Sequence, residues 1–395
     1  FAQSDIGWYF LGFILASTGG VIALMVYRWH RLKSANRLES LLSRESAFVM
    51  NNWLLVGLTL IILWGTLWPI ISEAINGEKS AVPEAFFNKV VVIPGLLLLF
   101  LTGAGPIISW KKITPNNFRR MFVSPILIGL IAAAVAWVFL AFRASAAPIA
   151  ASEVTAEVST PNLFMRAWEF LTFGENPIPI YSVLCVFASV FVFVAIFSEF
   201  NRGAKLRAKR QESSFLNGLW LLIQRNKRRY GGYIIHIGIV IVYIGIMGSK
   251  GYVLHKEESL KLGDSMEVGA YQLTMKDTFE EEHENYLRRG VVFDVEKNGQ
   301  QVTTMKPARH YYYQAKQEEG EQGTIESAIH AIGLNDLYTA LGPLPAKIDT
   351  DTDINVAIYH NPLIKVVWIG VAVMVLGGII AIAQKSDPKP RSQAS

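Results

Sequence analysis

The sequence predicts a membrane α-helical fold of about seven transmembrane helices, with a small mainly-β extracytoplasmic domain inserted before the last helix. Three observations predict it. Of 395 residues, 51% are hydrophobic and 17% charged, with a mean hydropathy of +0.31, a balance foreign to soluble domains. Seven stretches reach the roughly 17 to 25 apolar residues a helix needs to cross the hydrocarbon layer. Between the sixth and seventh, residues 250–361 switch to alternating polar and apolar side chains, the period of strands with one buried face.

The apolar stretches lie near residues 7–27, 49–71, 89–110, 121–142, 180–198, 231–249 and 363–384. Their connections alternate in charge. Arg28, Arg31, Lys33 and Arg37 follow the first span; Lys111, Lys112, Arg119 and Arg120 separate the third from the fourth; a run from Arg202 to Arg229 precedes the sixth. The intervening loops carry Glu73, Glu78, Lys79 and Glu84, or the nearly neutral segment 143–179. By the positive-inside rule the N-terminus lies outside and the C-terminus in the cytoplasm. The expected organisation is a six-span bundle over 1–249, an outer β domain over 250–361, a last span over 362–384 and a cytoplasmic tail over 385–395.

The net charge of +5 sits mostly where insertion places Lys and Arg, so it implies a membrane lipid partner and no nucleic acid. The opening residues from Phe1 show neither a basic n-region nor a small-residue cleavage site, and the chain reads as processed or as a fragment. Cys185 is the one cysteine, which excludes an intrachain disulfide, a CxxC pair and a CxxCH haem attachment site in this chain. Residues 212–224, "ESSFLNGLWLLIQ", read as an amphipathic interfacial helix or a helical connector.

Within the β segment, Asn298-Gly299 is a two-residue hairpin signal. The run "FEEEHENY" reads as a solvated loop rather than a metal site, because its carboxylates are contiguous. His255, His310 and His330 are weak ligand candidates, and Tyr311, Tyr312 and Tyr313 read as strand residues on both faces or as a partner-facing patch. Walker, dinucleotide, zinc and hydrolase motifs are absent from the sequence,.

The strongest chemical feature is His236, inside "RRYGGYIIHIGIVIVYIGIMGS". On a helix, Gly232, Ile239, Val240 and Tyr243 share its face. Gly232 leaves room for a flat ligand one turn before the imidazole, and Tyr243 offers an edge or hydroxyl. An intramembrane imidazole is a functional candidate, as ligand or proton relay. The competing reading is a structural histidine hydrogen-bonded to a neighbouring helix, with a net worth of about 1 kcal/mol. Periodicity leaves both open.

The segments "SRESAFVMNNWLL", "WGTLWPIISEAINGEK", "RRYGGYIIHIGIVIVYIGIMGS", "GLNDLYTALG" and "NPLIKVVWIGVAVMVLGGIIAI" resemble, in this order, the C-terminal half of the CcmF family, haem lyase subunits of cytochrome c maturation. A haem lyase dedicated to nitrite reductase assembly, NrfE, shares the pattern. The resemblance implies that His236 is an axial ligand of a b-type haem in the bacterial inner membrane, with the N-terminus periplasmic. That haem would reduce a second haem presented by the chaperone CcmE, so that ferrous iron is available when its vinyl groups react with apocytochrome thiols. The implied partners are CcmE, a CcmH-type apocytochrome-binding subunit, apocytochrome c and an N-terminal lyase half carrying the tryptophan-rich WWD segment. That segment, the second b-haem histidine and both outer-face histidine ligands lie upstream of everything in this chain, which is therefore expected not to complete haem ligation alone.

Further positions resemble the family's. Trp64, Gly65, Trp68, Pro69, Phe86, Phe87 and Asn88 would wall the haem vestibule or form an interfacial aromatic belt. Arg44, Glu45, Asn51 and Asn52 read as a polar network or as caps and snorkelling groups. The catalytic residues are not identified. Two other classes stand beside the lyase: a membrane transporter or haem exporter with His236 as relay, and a noncatalytic assembly scaffold. Matching Gly/Pro-broken helices, which the transporter reading needs, are not evident.

Overall fold

The computed structural model describes residues 6–32, 40, 42–78, 80–108, 114–146, 178–313, 323–345 and 347–383. The segment 147–177, which holds most of the neutral outer connection, and the tail after 383 lie outside the described residues. The chain folds as two compact units, one formed by Phe1–Ile237 with Leu376–Ser395 and the other by Gly238–Val375.

The helices are α1 (Ile6–Tyr27), α2 (Trp29–Leu32), α3 (Arg44–Asn76), α4 (Glu84–Ile107), α5 (Pro115–Ala146), α6 (Ile178–Arg210), α7 (Phe215–Arg225), α8 (Lys227–Gly251) and α9 (Ile364–Ile382). Seven of them are long and apolar enough to cross a membrane, and the protein is a multi-pass membrane protein. Several run past the apolar stretch that announces them. α3 starts at Arg44 because the Ser43 hydroxyl accepts the Ser46 N–H at 3.1 Å. It stops at Gly77, whose φ of 75° lets its N–H close on the Glu73 carbonyl, a left-handed cap. α6 continues to Arg210 because "NRGAKLRAKR" is rich in strong helix formers,.

After a sharp turn, α7 packs back on α6. A Cβ at Gly218 would lie 2.6 Å from the Ala204 carbonyl, and one at Gly203 would lie 2.7 Å from Leu222 Cδ2. Leu222 and Gly218 are therefore buried, while Leu216 and Trp220, one turn apart, are exposed. The stretch read as an interfacial or a connecting helix is thus helical over Phe215–Arg225, with its inner face spent on α6.

α8 and α9 pair along a glycine seam. Gly231 faces Gly377 and Ala381; Gly238 faces Gly370 and Met374; Gly245 faces Val367. The seven-residue spacing keeps these glycines on one stripe of α8, and close backbone approach takes the place of hydrophobic burial inside lipid.

In the second unit, ten strands are described: β1 (Leu254–Leu260), β2 (Ser265–Val268), β3 (Tyr271–Glu282), β4 (Tyr286–Lys297), β5 (Gln300–Met305), β6 (Ala308–Tyr312), β7 (Thr324–Glu326), β8 (Ala328–Ile332), β9 (Asn335–Leu341) and β10 (Ile354–Asn361). They form an antiparallel sheet β1-β10-β9-β8 and a second, β2-β3-β4-β6-β7, in which β5 also pairs with β4. Alternation sends Leu273, Met275, Val291, Phe293 and Val295 from one sheet, and Leu337, Leu341, Ile354, Val356 and Ile358 from the other, into a common core. Asn298 and Gly299 turn β4 into β5 at φ 53° and 77°, the paired positive angles of a type I′ turn.

The acidic run departs from the expected solvated loop. Phe279–Glu282 completes β3, and Glu280 and Glu281 stand opposite Arg289 and Arg288 of β4. Both pairs close, at 2.6 and 2.8 Å. Cross-strand opposite charges stabilise a ladder, so contiguous carboxylates are compatible with a strand when arginines stand in register. Arg309 is buried and donates to the Leu341 and Gly323 carbonyls at 2.9 and 3.2 Å. The first bond joins β6 to the end of β9 and the second to the residue before β7, and burial pushes the guanidinium below its usual pKa.

Candidate functional site

His236 stands off the glycine seam. It is two residues from Gly238 and five from Gly231, so it projects from a different face of α8. That face meets α4, where His236 Nδ1 lies 3.0 Å from the Thr102 carbonyl oxygen. A carbonyl only accepts, so Nδ1 carries the proton and donates.

The imidazole lines a cavity of about 520 Å³ bounded by Arg44, Ala47, Phe48 and Asn51 of α3, Leu101, Thr102, Gly105 and Pro106 of α4, and Arg229, Gly232, Tyr233 and His236 of α8. This volume falls within the ~300–1,000 Å³ of small-molecule and cofactor sites. At Gly232, nothing lies within 4 Å of where a Cβ would be, so the space one turn before the histidine is open.

Two arginines charge the wall, and each is held. Arg44 donates from Nε to the Gly105 carbonyl at 3.1 Å and from its NH2 group to the Pro106 carbonyl at 2.8 Å, capping carbonyls that the end of α4 leaves without helical partners. Arg229 donates to Glu199 at 2.7 Å and to the Tyr233 hydroxyl at 2.8 Å, while Glu199 also pairs with Arg202 at 3.5 Å. The result is an apolar chamber with one imidazole and fixed positive charge. Such a chamber suits a flat, metal-bearing, carboxylated ligand.

Of the residues singled out in the sequence, His236 and Gly232 meet here. Tyr243 does not line the cavity, because seven residues of helix carry it roughly 10 Å along α8. Trp64 and Trp68 do not line it either: α3 contributes its first residues to the chamber, and the tryptophans follow Asn51 by 13 and 17 residues, roughly 20–25 Å along the axis. They pack on each other, with ring centroids 5.8 Å apart. Phe87 fills the space over Gly65, where a Cβ would come within 2.6 Å of its ring. Asn51 and Arg44 reach the site.

The residues that sequence reasoning missed include Thr102, Pro106, Arg229 and Tyr233. The available signal for the first two was a proline four positions after a carbonyl that a histidine elsewhere then engages. Among the described residues no cluster of histidine, cysteine and carboxylate side chains could hold a metal ion.

His255, His310, His330 and His360 of the second unit lie on strands. His255 stacks on Tyr359 at 4.3 Å, and His360 is a β10 residue paired with Leu337 of β9. His310 Nε2 lies 2.8 Å from Glu326, which also receives Arg288 at 2.6 Å. Arg288 first, then His310, holds the Glu326 carboxyl below the usual carboxylate range. Tyr311 turns inward, with its hydroxyl donating to the Leu344 carbonyl and accepting the Leu344 N–H, while Tyr312 and Tyr313 are exposed.

The class defined is a polytopic membrane protein with an imidazole-lined chamber in its helical unit and a two-sheet strand segment in its second unit. Residues 251–362 match the family model described as the CcmF C-terminal beta-sandwich. The chain is 27% identical over 379 residues to the cytochrome c-type biogenesis protein CycK of Rhizobium meliloti, covering 96% of this chain and 49% of that protein. It is 25% identical over 396 residues to CcmF of Escherichia coli K12, covering 98% and 50%. NrfE of Haemophilus influenzae is 21% identical over 380 residues, covering 94% and 50%. A solved structure of "Cytochrome c Heme Lyase CcmF" superposes with a TM-score of 0.62 at 19% identity, over 96% of this chain and 51% of that one, and shares its fold. Residues 251–362 thus carry the CcmF C-terminal beta-sandwich, and the chain spans about half the length of the curated relatives it matches.

Proposed function

We propose that this chain is the portion of an inner-membrane haem lyase that binds a b-type haem and helps ligate haem to the CxxCH cysteines of apocytochrome c. The observation that carries the reading is a lone imidazole, His236, presented to a chamber of about 520 Å³ with its Nδ1 committed to a backbone carbonyl. Imidazole oriented in this way by a carbonyl is the usual arrangement of a metal-binding histidine.

The residues present fit the group. His236 would hold the iron through Nε2, open space over Gly232 would admit the macrocycle, and Arg44 and Arg229 would meet its carboxylates. Bound haem would supply a one-electron couple whose potential the apolar chamber tunes. Among the described residues His236 is the only histidine lining the chamber. We propose that a further histidine to hold the iron would come from an N-terminal lyase half carrying the WWD segment. The β-sandwich, with Tyr312 and Tyr313 exposed, is proposed as the periplasmic face toward CcmE, a CcmH-type subunit and apocytochrome c.

The test is a reduced-minus-oxidised absorption spectrum of the protein purified after coexpression with the N-terminal half, comparing wild type with His236→Ala. Loss of the b-type signal in the variant is expected. A signal of unchanged size in His236→Ala removes His236 as a ligand and the reading with it.

A further inference from the structure

In α4 the carbonyl of residue 102 would ordinarily accept the N–H of residue 106. Position 106 is proline, which has no N–H, and its ring crowds the carbonyl four residues back. The regular partner of the Thr102 carbonyl therefore does not exist. An unpaired carbonyl inside a membrane is costly, and neighbouring side chains re-satisfy such groups. The group that does so here is His236 Nδ1, at 3.0 Å. The Thr102 side chain plays no part, since its hydroxyl donates to the Leu98 carbonyl at 2.8 Å.

We propose that Pro106 is a positioning residue: by freeing the Thr102 carbonyl it fixes His236 as the Nδ1–H tautomer, leaving Nε2 as the nitrogen with a lone pair for iron. The proposal rests on the haem-ligand reading for its purpose but not for its geometry. In a regular helix the Thr102 carbonyl would be spent on the backbone, and the imidazole would lose the acceptor that selects the tautomer. Arg44 secures the same turn from the other side by capping Gly105 and Pro106, so the freed carbonyl is held on a fixed helix end. A carbonyl accepting from Nδ1 also raises the basicity of Nε2, which favours ferric iron and lowers the midpoint potential.

The substitution Pro106→Ala restores the missing N–H and improves helix propensity, so it keeps the fold while giving Thr102 its backbone partner back. Two measurements read the effect. The first uses ring-15N-histidine protein without haem, with His236→Gln identifying the resonances. Wild type is expected to show a protonated Nδ1 and an unprotonated Nε2 at His236, and Pro106→Ala a shift toward mixed tautomers. The second is the midpoint potential of the haem-loaded lyase, expected to rise in Pro106→Ala with the b-type signal retained. An Nε2-protonated His236 in wild type, or a tautomer population unmoved by Pro106→Ala, overturns the proposal. The haem-free spectrum decides this even if His236→Ala leaves the haem signal intact, so failure of the ligand reading and failure of the positioning reading are told apart.

Discussion

Single side chains here act through their second partner. Arg229 faces the chamber while Glu199 and Tyr233 hold it, and Arg44 faces it while capping α4. In the β-sandwich, Glu326 binds Arg288 and His310 together. That cluster predicts a pH dependence with a definite sign. The folded-state pKa of Glu326 lies below the ordinary 4.5, so its stabilisation is full above the ordinary value and is lost as pH falls through the depressed one. The thermal midpoint of the purified protein should therefore fall as pH drops below about 4.5. Glu326→Gln should lower the midpoint at neutral pH and flatten that acid slope, and an equally steep slope in the variant would remove Glu326 as a source. Sequence alone named His236 and Gly232, because an ionisable group and a small residue interrupt an apolar run. It could not name Thr102 as the acceptor, since the bond crosses 134 positions and involves a backbone atom that any residue type provides.

Among elements, the pairing of α8 with α9 rests on absent side chains. A Cβ at Gly238 would lie 2.7 Å from the Gly370 carbonyl oxygen and 2.8 Å from the Met374 nitrogen, and backbone cannot move aside as a flexible side chain can. Gly238→Leu should cost roughly 1–3 kcal/mol or more, read as a lower thermal midpoint in detergent. Gly232→Ala on the same helix, with nothing within 4 Å, should leave that midpoint near wild type. Equal midpoints for all three proteins would show that the seam does not hold the pair. The spans were legible because twenty apolar residues have few alternatives in water, and their ends were not. Caps such as Ser43 and Gly77, and helix formers after residue 198, set those ends rather than hydropathy. Likewise Asn298-Gly299 announced its hairpin through a backbone requirement, whereas the acidic run misled because its arginine partners come from β4, beyond the turn at 283–285.

At the scale of the molecule, the orientation proposed for the lyase stands on charge asymmetry. Basic residues crowd α6 after Asn201 and the start of α8 at Lys227–Arg229, while the acid-rich β3–β4 face belongs to the strand segment after α8. Translocating the first group is disfavoured, since Lys and Arg near span ends are retained on the cytoplasmic side. Under that proposal the strand segment lies on the opposite side, where the proposed chaperone and apocytochrome partners would be met. Cys185 is buried and is the one cysteine, so Cys185→Ser gives a background in which single reporters are unambiguous. In that background Tyr313→Cys, at a position 54% exposed in the β-sandwich, should react with a membrane-impermeant maleimide in intact spheroplasts. Gln211→Cys, in the exposed turn between α6 and α7, should react only after the membrane is permeabilised. The reverse pattern would put the β-sandwich in the cytoplasm, away from any periplasmic apocytochrome. The proposed docking role would then fail even if His236 still held its haem.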